Sequence, residues 1–377
     1  MDSVTATFVR FAATLCQLTR LLKRGALNLK TRPGKLCMKI LSIVLILGSL
    51  SASQALAQTS ADTTAPLVLQ RKIVLAGVKG KFDHFAIDET NNRLFVAATG
   101  NKSVEVIDLT SEKTRQSLTG MGKPHGLAWV PALGRLFVSD GEKAELDVYE
   151  GEPLKLVKSM GLSEDADDMV YDGESGLLYV GHGGTDTANP ASVAVVDARH
   201  LEVVKQLQMA AHPEGLELHV KGRRVFINVS ETGEVVVVDG RTQVKAETWK
   251  LRDTKGNTPL AYDDADDLLL VGCRTPSKLL VLSGNTGREL DSASIATGAD
   301  DLFYEAKTHR VYVVTGSGSI NSFAVSTAGK LETLPVTQTA AGAKTGLLVP
   351  SQGALYIGVP GIAGLAEIDV YQTSAAQ

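Results

Sequence analysis

A short pattern of apolar and polar positions recurs seven times along the 377 residues of the chain. Each copy reads as an apolar strand, a tight turn, a second apolar strand, a loop rich in Gly, Asn and Ser, and a third strand that often ends in Asp. The second strand is RLFV at 93–96 and RLFV again at 135–138. From Leu94 onward, equivalent positions are 42, 42, 47, 44, 42 and 44 residues apart. A period in the low forties, made only of strands, predicts an all-β, seven-bladed β-propeller with four-stranded blades.

The two ends of the repeat region predict how the ring closes. The seventh repeat stops at about residue 371 after three strands, and the apolar segment 67–74 has no partner at the front of the chain. We expect this N-terminal strand to become the outer strand of the last blade, because that removes an open sheet edge. The propeller is therefore expected over 67–371, with a short linker at 58–66 and a tail at 372–377.

The first 57 residues carry a different pattern. Lys39 precedes an apolar run at 40–50, and Ala55-Leu56-Ala57 follows, which is the order of a secretory signal peptide with an A-x-A cleavage site. The run is too short for a membrane span, and no transmembrane span is expected in the mature chain. We expect cleavage after Ala57 and a periplasmic or secreted protein. Residues 1–37 are either a long basic extension of the signal or lie upstream of a start at Met38, which we favour.

Composition and charge exclude several classes of function. A formal net charge of −4 gives no general attraction to nucleic acid, and no nucleic-acid partner is expected. Only Cys273 follows the predicted cleavage site, so the mature chain has no intrachain disulfide. The chain has no phosphate-binding loop, Rossmann fingerprint, Gly-x-Ser-x-Gly elbow or Cys-x-x-Cys-His motif. Nucleotide cofactors and covalent haem are therefore not expected.

The first strand of each blade is the innermost one in a propeller, so equivalent positions at its start form a ring around the mouth of the axial channel. These positions lie ten or eleven residues before the second-strand landmark. They are His84, His125, Asp168, Glu214, Pro259, Asp301 and Thr345.

Two histidines and three carboxylates on one ring are suited to a ligand or a divalent metal ion. The predicted metal ligands are His84, His125, Asp168 and Glu214, and Asp301 joins them as a ligand-binding candidate. His125 or Glu214 is the candidate base if the site is catalytic. The alternative is that polar side chains at a wet channel mouth bind only water or cap turns. The one cofactor that the ring suggests is a divalent metal ion.

Loops between the second and third strands open on the same face as the ring. His182 stands in a glycine-rich loop where a ligand could approach closely, although such loops are also ordinary turns. Arg274 is the candidate for an anionic group, with a surface ion pair as the alternative. His212, two residues before Glu214, is interpreted as a loop residue.

The period, the rhythm RLFVA…VEVIDL in the first repeat and the signal peptide resemble exported bacterial YVTN-repeat propellers. The resemblance covers about residues 67–371 and implies the propeller fold. It implies no single activity, because that family includes binding proteins, surface-layer proteins and relatives of lactonases and quinoproteins.

Three functions follow as hypotheses. The leading one is an exported binding protein that holds a small ligand, a metal ion or a partner on the axial-channel face. The second is a divalent-metal-dependent hydrolase, lactonase or lyase at the channel mouth. The third is a protein-interaction scaffold in the cell envelope. We expect a monomer whose partner is a small molecule or an envelope protein.

Overall fold

The structure, a computed structural model, describes residues 65–184, 187–221, 223–361 and 365–373. These residues form seven antiparallel sheets, each of four strands apart from an additional two-residue strand in blade 6. The first strands of neighbouring blades contact one another all the way round, including blade 7 against blade 1. The chain is therefore an all-β, seven-bladed propeller with the first strands innermost, as the repeat predicts.

The strand boundaries follow the repeat closely. Blades 1 and 2 contain β2 Phe85–Asp88, β3 Arg93–Ala98, β4 Ser103–Asp108, β5 Lys113–Leu118, β6 Pro124–Val130, β7 Arg135–Asp140, β8 Glu145–Glu150 and β9 Lys155–Gly161. Blades 3 and 4 contain β10 Met169–Asp172, β11 Leu177–His182, β12 Ser192–Asp197, β13 Glu202–Gln208, β14 Pro213–His219, β15 Arg224–Val229, β16 Glu234–Asp239 and β17 Val244–Lys250. Blades 5 and 6 contain β18 Lys255–Asp263, β19 Leu268–Thr275, β20 Ser277–Ser283, β21 Glu289–Ser294, β22 Ala299–Glu305, β23 Arg310–Thr315, β24 Ser319–Val325, β25 Leu331–Thr333 and β26 Thr337–Gln338. Blade 7 contains β27 Gly346–Val349, β28 Ala354–Val359, β29 Ala366–Thr373 and the N-terminal β1 Leu67–Leu75.

The ring closes through the N-terminal strand. In blade 7 the order is β1-β29-β28-β27, and β1 pairs antiparallel with β29 from Leu67 opposite Thr373 to Leu75 opposite Ala366. The predicted closure is confirmed, and β29 runs two residues past the expected end at 371. The predicted signal peptide with its extension, most of the predicted linker and residues 374–377 lie outside the described residues.

The core lies between the blades, because strands buried on both faces alternate their side chains between two neighbours. In β3, Leu94 and Val96 pack in the cluster shared with blade 7, whereas Phe95 and Ala97 pack in the cluster shared with blade 2. Seven such clusters occur in the described propeller, one at each blade interface. Each fully buried apolar side chain contributes about 1.5–3 kcal/mol. This packing fixes the positions of the inner-strand starts.

No helix among the described residues is long and apolar enough to span a membrane. Cys273 is a buried free thiol, and burial raises its pKa to about 12.

Candidate functional site

The starts of the inner strands surround a cavity of about 520 Å³. All seven ring positions line this cavity, and so does Arg274. The repeat alignment thus brings together residues that are up to 261 positions apart in the sequence. Cavities of this volume accommodate small molecules.

His84 lies at the centre of the ring, among four carboxylates. Its Nε2 is 3.9 Å from Asp83 Oδ1 and 4.0 Å from Asp167 Oδ1, and its Nδ1 is 3.9 Å from both Asp168 Oδ1 and Asp301 Oδ1. Burial alone lowers a histidine pKa, but here the surrounding carboxylates outweigh it and raise the pKa of His84 to about 10. The imidazole is therefore a cation at neutral pH that balances part of the negative charge.

Asp83 accepts a hydrogen bond from a second histidine, His125. His125 is only 5% exposed, and its Nδ1 lies 2.5 Å from Asp83 Oδ2 and 3.5 Å from Asp167 Oδ1. An ionised carboxylate can only accept, so Nδ1 carries the proton of this hydrogen bond. Burial tends to raise the pKa of Asp83, but the bond from His125 and the charges of His84, His125 and Lys344 lower it to about 2. Asp83 therefore stays ionised.

Asp167 lies within ion-pair distance of His212, which directly precedes blade 4. His212 donates from Nδ1 to the Gly183 carbonyl at 2.7 Å, and its Nε2 lies 3.7 Å from Asp167 Oδ2. Burial opposes charge on His212, yet Asp167 and the Gly183 carbonyl raise its pKa to about 9. The interpretation of His212 as a loop residue misses this contact, although the residue does sit immediately before β14.

Asp83, His84 and Asp167 form a group that could hold a metal ion. Each offers one ligand atom, and the three atoms lie within 4.8 Å of one another. Of the four predicted metal ligands, only His84 belongs to this group. The group contains Asp167, which directly precedes the predicted ligand Asp168, and His125 is hydrogen-bonded to Asp83.

Asp168 and Asp301 tie neighbouring blades together. Asp168 Oδ2 accepts the Leu216 amide at 2.8 Å, and Asp301 Oδ2 accepts the Gly346 amide at 2.7 Å. Burial raises the pKa of Asp168, and it raises that of Asp301 to about 7 even though His84 acts in the opposite direction. These two carboxylates have a structural role across the 3–4 and 6–7 interfaces in addition to facing His84.

A glycine after the ring position allows the inner strands to approach closely. A Cβ at Gly126 would lie 2.3 Å from the Asp167 carbonyl oxygen, a separation that Cβ atoms do not tolerate. Gly126 therefore lets the start of blade 3 bring Asp167 next to the Asp83–His125 pair. The Ser139 hydroxyl donates to the same Asp167 carbonyl at 2.7 Å and fixes this approach.

Blades 5, 6 and 7 contribute a cationic cluster to the cavity wall. Arg274 Nη2 and Lys344 Nζ both donate to the carboxylate of Asp300, one to each oxygen. Arg274 Nε also donates to the Ala299 carbonyl at 2.9 Å. The Asp300 side chain is 9% exposed, whereas those of Arg274 and Lys344 are 39% and 29% exposed. Arg274 does form an ion pair, the alternative raised from the sequence, and it lines the cavity as well.

Two glutamates complete the lining. Burial raises the pKa of Glu214, whose carboxyl makes no hydrogen bond within the described propeller. Glu217 faces both this cavity and a smaller one beside Tyr304, and burial raises its pKa to about 8. Glu217 is therefore largely protonated at neutral pH.

Comparisons with solved structures support the fold. A chain of the mitotic checkpoint complex is 14% identical, with a TM-score of 0.68, over 83% of this chain and 94% of its own length. The WD40 repeats of RRP9 are 10% identical, with a TM-score of 0.69, over 82% of this chain and 99% of theirs. A chain of Kuenenia stuttgartiensis hydrazine synthase is 13% identical, with a TM-score of 0.67, over 78% of this chain and 98% of its own length. At these identities the likeness shows the propeller fold alone.

No protein-family model matches the chain, and no curated protein matches it.

His182 is the one predicted ligand-binding residue that does not line the cavity. Its Nδ1 accepts the Ser163 amide at 3.1 Å, and its Nε2 bonds to Gln206 Oε1 at 2.9 Å. Burial lowers its pKa. Both ring nitrogens are thus engaged by the protein, and His182 orders the loops of blade 3 instead of facing the channel.

Four of the lining residues that the ring prediction omits share a sequence position. Asp83, Asp167, Asp300 and Lys344 each stand directly before a ring position, in the dipeptides Asp-His, Asp-Asp, Asp-Asp and Lys-Thr. Applying the repeat alignment one position earlier would have found them. The distances among them depend on how neighbouring blades pack.

A second group of potential ligands lies away from the cavity, at Asp263, Asp266 and His309. There the Tyr304 hydroxyl already donates to Asp263 at 2.7 Å and lies 3.0 Å from His309 Nδ1. The tyrosine hydroxyl therefore already contacts two of the three residues of this group.

Proposed function

We propose that this protein is a ligand-binding propeller whose ligand occupies the axial cavity, and that a divalent cation held by Asp83, His84 and Asp167 forms part of the site. The observation that carries the proposal is the convergence of three ligand atoms within 4.8 Å. These atoms come from the starts of blades 1 and 3, so the folded ring, and not a local turn, assembles the group.

The donor set indicates the kind of cation. One imidazole and two carboxylates suit zinc or manganese, whereas calcium prefers oxygen ligands alone. Three protein ligands leave coordination positions open to a ligand or water from the cavity. His125 and His212 contact the two carboxylates from outside the group, as the outer partners of metal ligands commonly do.

Calorimetric titration of the untagged protein, stripped with a chelator and then titrated with Zn²⁺ or Mn²⁺, tests the proposal. We expect one saturable site, bound at least about tenfold more weakly in Asp167→Asn. The matched control is Asp266→Asn, which removes a carboxylate from the group beside Tyr304 and should leave the affinity unchanged. Absence of saturable binding, or equal affinity in wild type and Asp167→Asn, would overturn the cation site.

A metal-dependent hydrolase, lactonase or lyase is the second candidate, and Glu214 favours it. The Glu214 carboxyl lines the cavity without a hydrogen-bond partner in the described chain, as a general base needs. His125 fits that role less well because its Nε2, the nitrogen that Asp83 leaves free to act as a base, is buried from solvent. Turnover of ester and lactone substrates that requires Zn²⁺ or Mn²⁺, and that Glu214→Gln abolishes while leaving cation affinity intact, would support the enzyme. Turnover unchanged in Glu214→Gln would exclude this assignment of the base.

We also propose that the protein acts outside the cytoplasm, as an exported propeller of the YVTN-repeat type. The support is the basic, apolar and A-x-A order at 38–57. Mass spectrometry of the exported protein should give an N-terminus at Gln58. An intact residue 1 in the exported fraction would contradict the signal peptide.

A protein partner in the envelope remains the alternative use of the fold. One of the structural neighbours is a chain of a multi-protein assembly, the mitotic checkpoint complex. That likeness fits a propeller with protein partners, and purification of crosslinked complexes from the envelope fraction would test it.

A further inference from the structure

We infer that the cavity contains an anion-binding subsite formed by Arg274 and Lys344 on the Asp300 carboxylate, and that the ligand is a small oxyanion, a carboxylate or a phosphate monoester. The inference rests on the proposal that the axial cavity is the ligand site. It does not require the cation to be present.

The cluster of Arg274, Asp300 and Lys344 has a net positive charge. Two cationic side chains bind one carboxylate, so the cluster keeps a net charge of about +1. Asp300 is nearly buried, whereas its two partners are partly exposed toward the cavity that they line. An anionic group that approaches this cluster therefore meets a local positive charge supported by a buried carboxylate.

Arg274 and Lys344 have N–H groups beyond those that bind Ala299 and Asp300. A guanidinium has five N–H groups, and Arg274 uses two of them, on Ala299 and Asp300. Lys344 uses one of its three on Asp300. About five donors therefore remain on two side chains that meet at one carboxylate. A planar guanidinium next to an ammonium matches the oxygens of a carboxylate or phosphoryl group.

Other charged side chains line the same cavity. Lys81 also lines the cavity and makes no ion pair with any residue that the structure describes. Lys123, by contrast, is bound to Asp165 at 2.9 Å. The Arg274–Asp300–Lys344 cluster and the group of Asp83, His84 and Asp167 line the same cavity, and Asp301, which follows Asp300, lies 3.9 Å from His84. The anion subsite and the cation site are therefore close together, and one small ligand can contact both.

A purely structural role is the competing explanation, in which Arg274, Asp300 and Lys344 only tie blades 5, 6 and 7 together. The two explanations predict different anion affinities for the variant Asp300→Asn. A structural tie weakened by this change should bind anions no better than wild type. An anion subsite should bind them more tightly, because the competing negative charge has gone.

The experiment titrates chelator-treated, untagged protein with sodium phosphate and, separately, with sodium succinate, in the absence of added metal. We expect saturable binding of at least one anion, weakened at least about tenfold in Lys344→Gln and in Arg274→Gln, and strengthened severalfold in Asp300→Asn. Arg252→Gln removes an exposed positive charge outside the cavity and should bind as wild type does. Binding of phosphate alone or of succinate alone identifies the phosphoryl or the carboxylate class.

Absence of saturable binding of either anion, or unchanged affinity in Lys344→Gln, would overturn the inference, as would weaker binding in a folded Asp300→Asn. If Asp300→Asn does not fold, Lys344→Gln decides, because it keeps the Arg274–Asp300 pair. Failure of the cation titration would leave these anion titrations unaffected, so the two proposals fail separately.

Discussion

At the scale of single residues, the central feature is a protonated imidazole enclosed by carboxylates. His84 lies 3.9–4.0 Å from four of them, and no other side chain that the structure describes has comparable surroundings. The proton on His84 and a cation at the same position are alternatives, because a metal ligand must be a neutral imidazole. Cation binding should therefore compete with protonation.

This competition predicts the direction of a pH dependence. The carboxylates raise the pKa of His84 to about 10, so the metal-free imidazole is protonated throughout the neutral range. Each unit of pH above 6.5 should tighten Mn²⁺ binding by about tenfold until that pKa is reached. Calorimetry from pH 6.5 to 8.5, in buffers of different ionisation enthalpy, should show release of about one proton. An affinity that does not change with pH would contradict the role of His84.

The ring positions could be predicted from the sequence because the seven repeats can be aligned. The alignment places His84 and Asp301 at equivalent points, and the fold then brings both to one cavity. The partners of His84 could not be predicted in the same way. Whether Asp167 or Asp168 joins the group with Asp83 and His84 depends on the backbone amides that bind Asp168, which are Met169 of the same blade and Leu216 of the next one.

At the scale of strands, the N-terminal β1 is the element that closes the ring. Buried and exposed side chains alternate only in its last three residues, where Ile73 and Leu75 are fully buried and Val74 is 46% exposed. Ile73 and Leu75 therefore pack in the cluster between blades 7 and 1, whereas Leu67 packs in the cluster between blades 6 and 7, although the strand comes from the far end of the chain.

Two neighbouring substitutions test this closure. Leu75→Ala should destabilise the protein by about 2–5 kcal/mol, because it removes a buried side chain and leaves a cavity. Val74→Ala, on the exposed face of the same strand, should change the free energy of unfolding by less than about 0.5 kcal/mol. Chemical denaturation monitored by circular dichroism measures both. Equal effects of the two substitutions would show that β1 is not held by that cluster.

At the scale of the whole molecule, the binding site and the stability of the ring are linked. Asp83 and His84 precede blade 1, Asp167 precedes blade 3, and the blades between and around them are held by continuous apolar clusters. The sequence could predict this architecture because each repeat shows the same alternation. It could not predict the charge division of the cavity, which depends on side-chain contacts across blades 5, 6 and 7.

A cation that bridges the starts of two blades should stabilise the entire propeller. At a concentration one hundred times its dissociation constant, a ligand that binds only the folded state adds about 2.7 kcal/mol. We expect Mn²⁺ to raise the Tm of wild type, and to raise that of Asp167→Asn much less. The Asp266→Asn control should respond as wild type does. Equal shifts in all three proteins would indicate that the ion binds elsewhere.

The most direct test of the cation site is anomalous diffraction at the zinc edge, from crystals of the untagged protein grown with Zn²⁺. We predict one peak in the axial cavity, about 2.0–2.2 Å from an oxygen of Asp83, from His84 Nε2 and from an oxygen of Asp167. The peak should be absent from crystals of Asp167→Asn. A wild-type cavity without a peak, or a peak only at Asp263, Asp266 and His309, would contradict the proposed site.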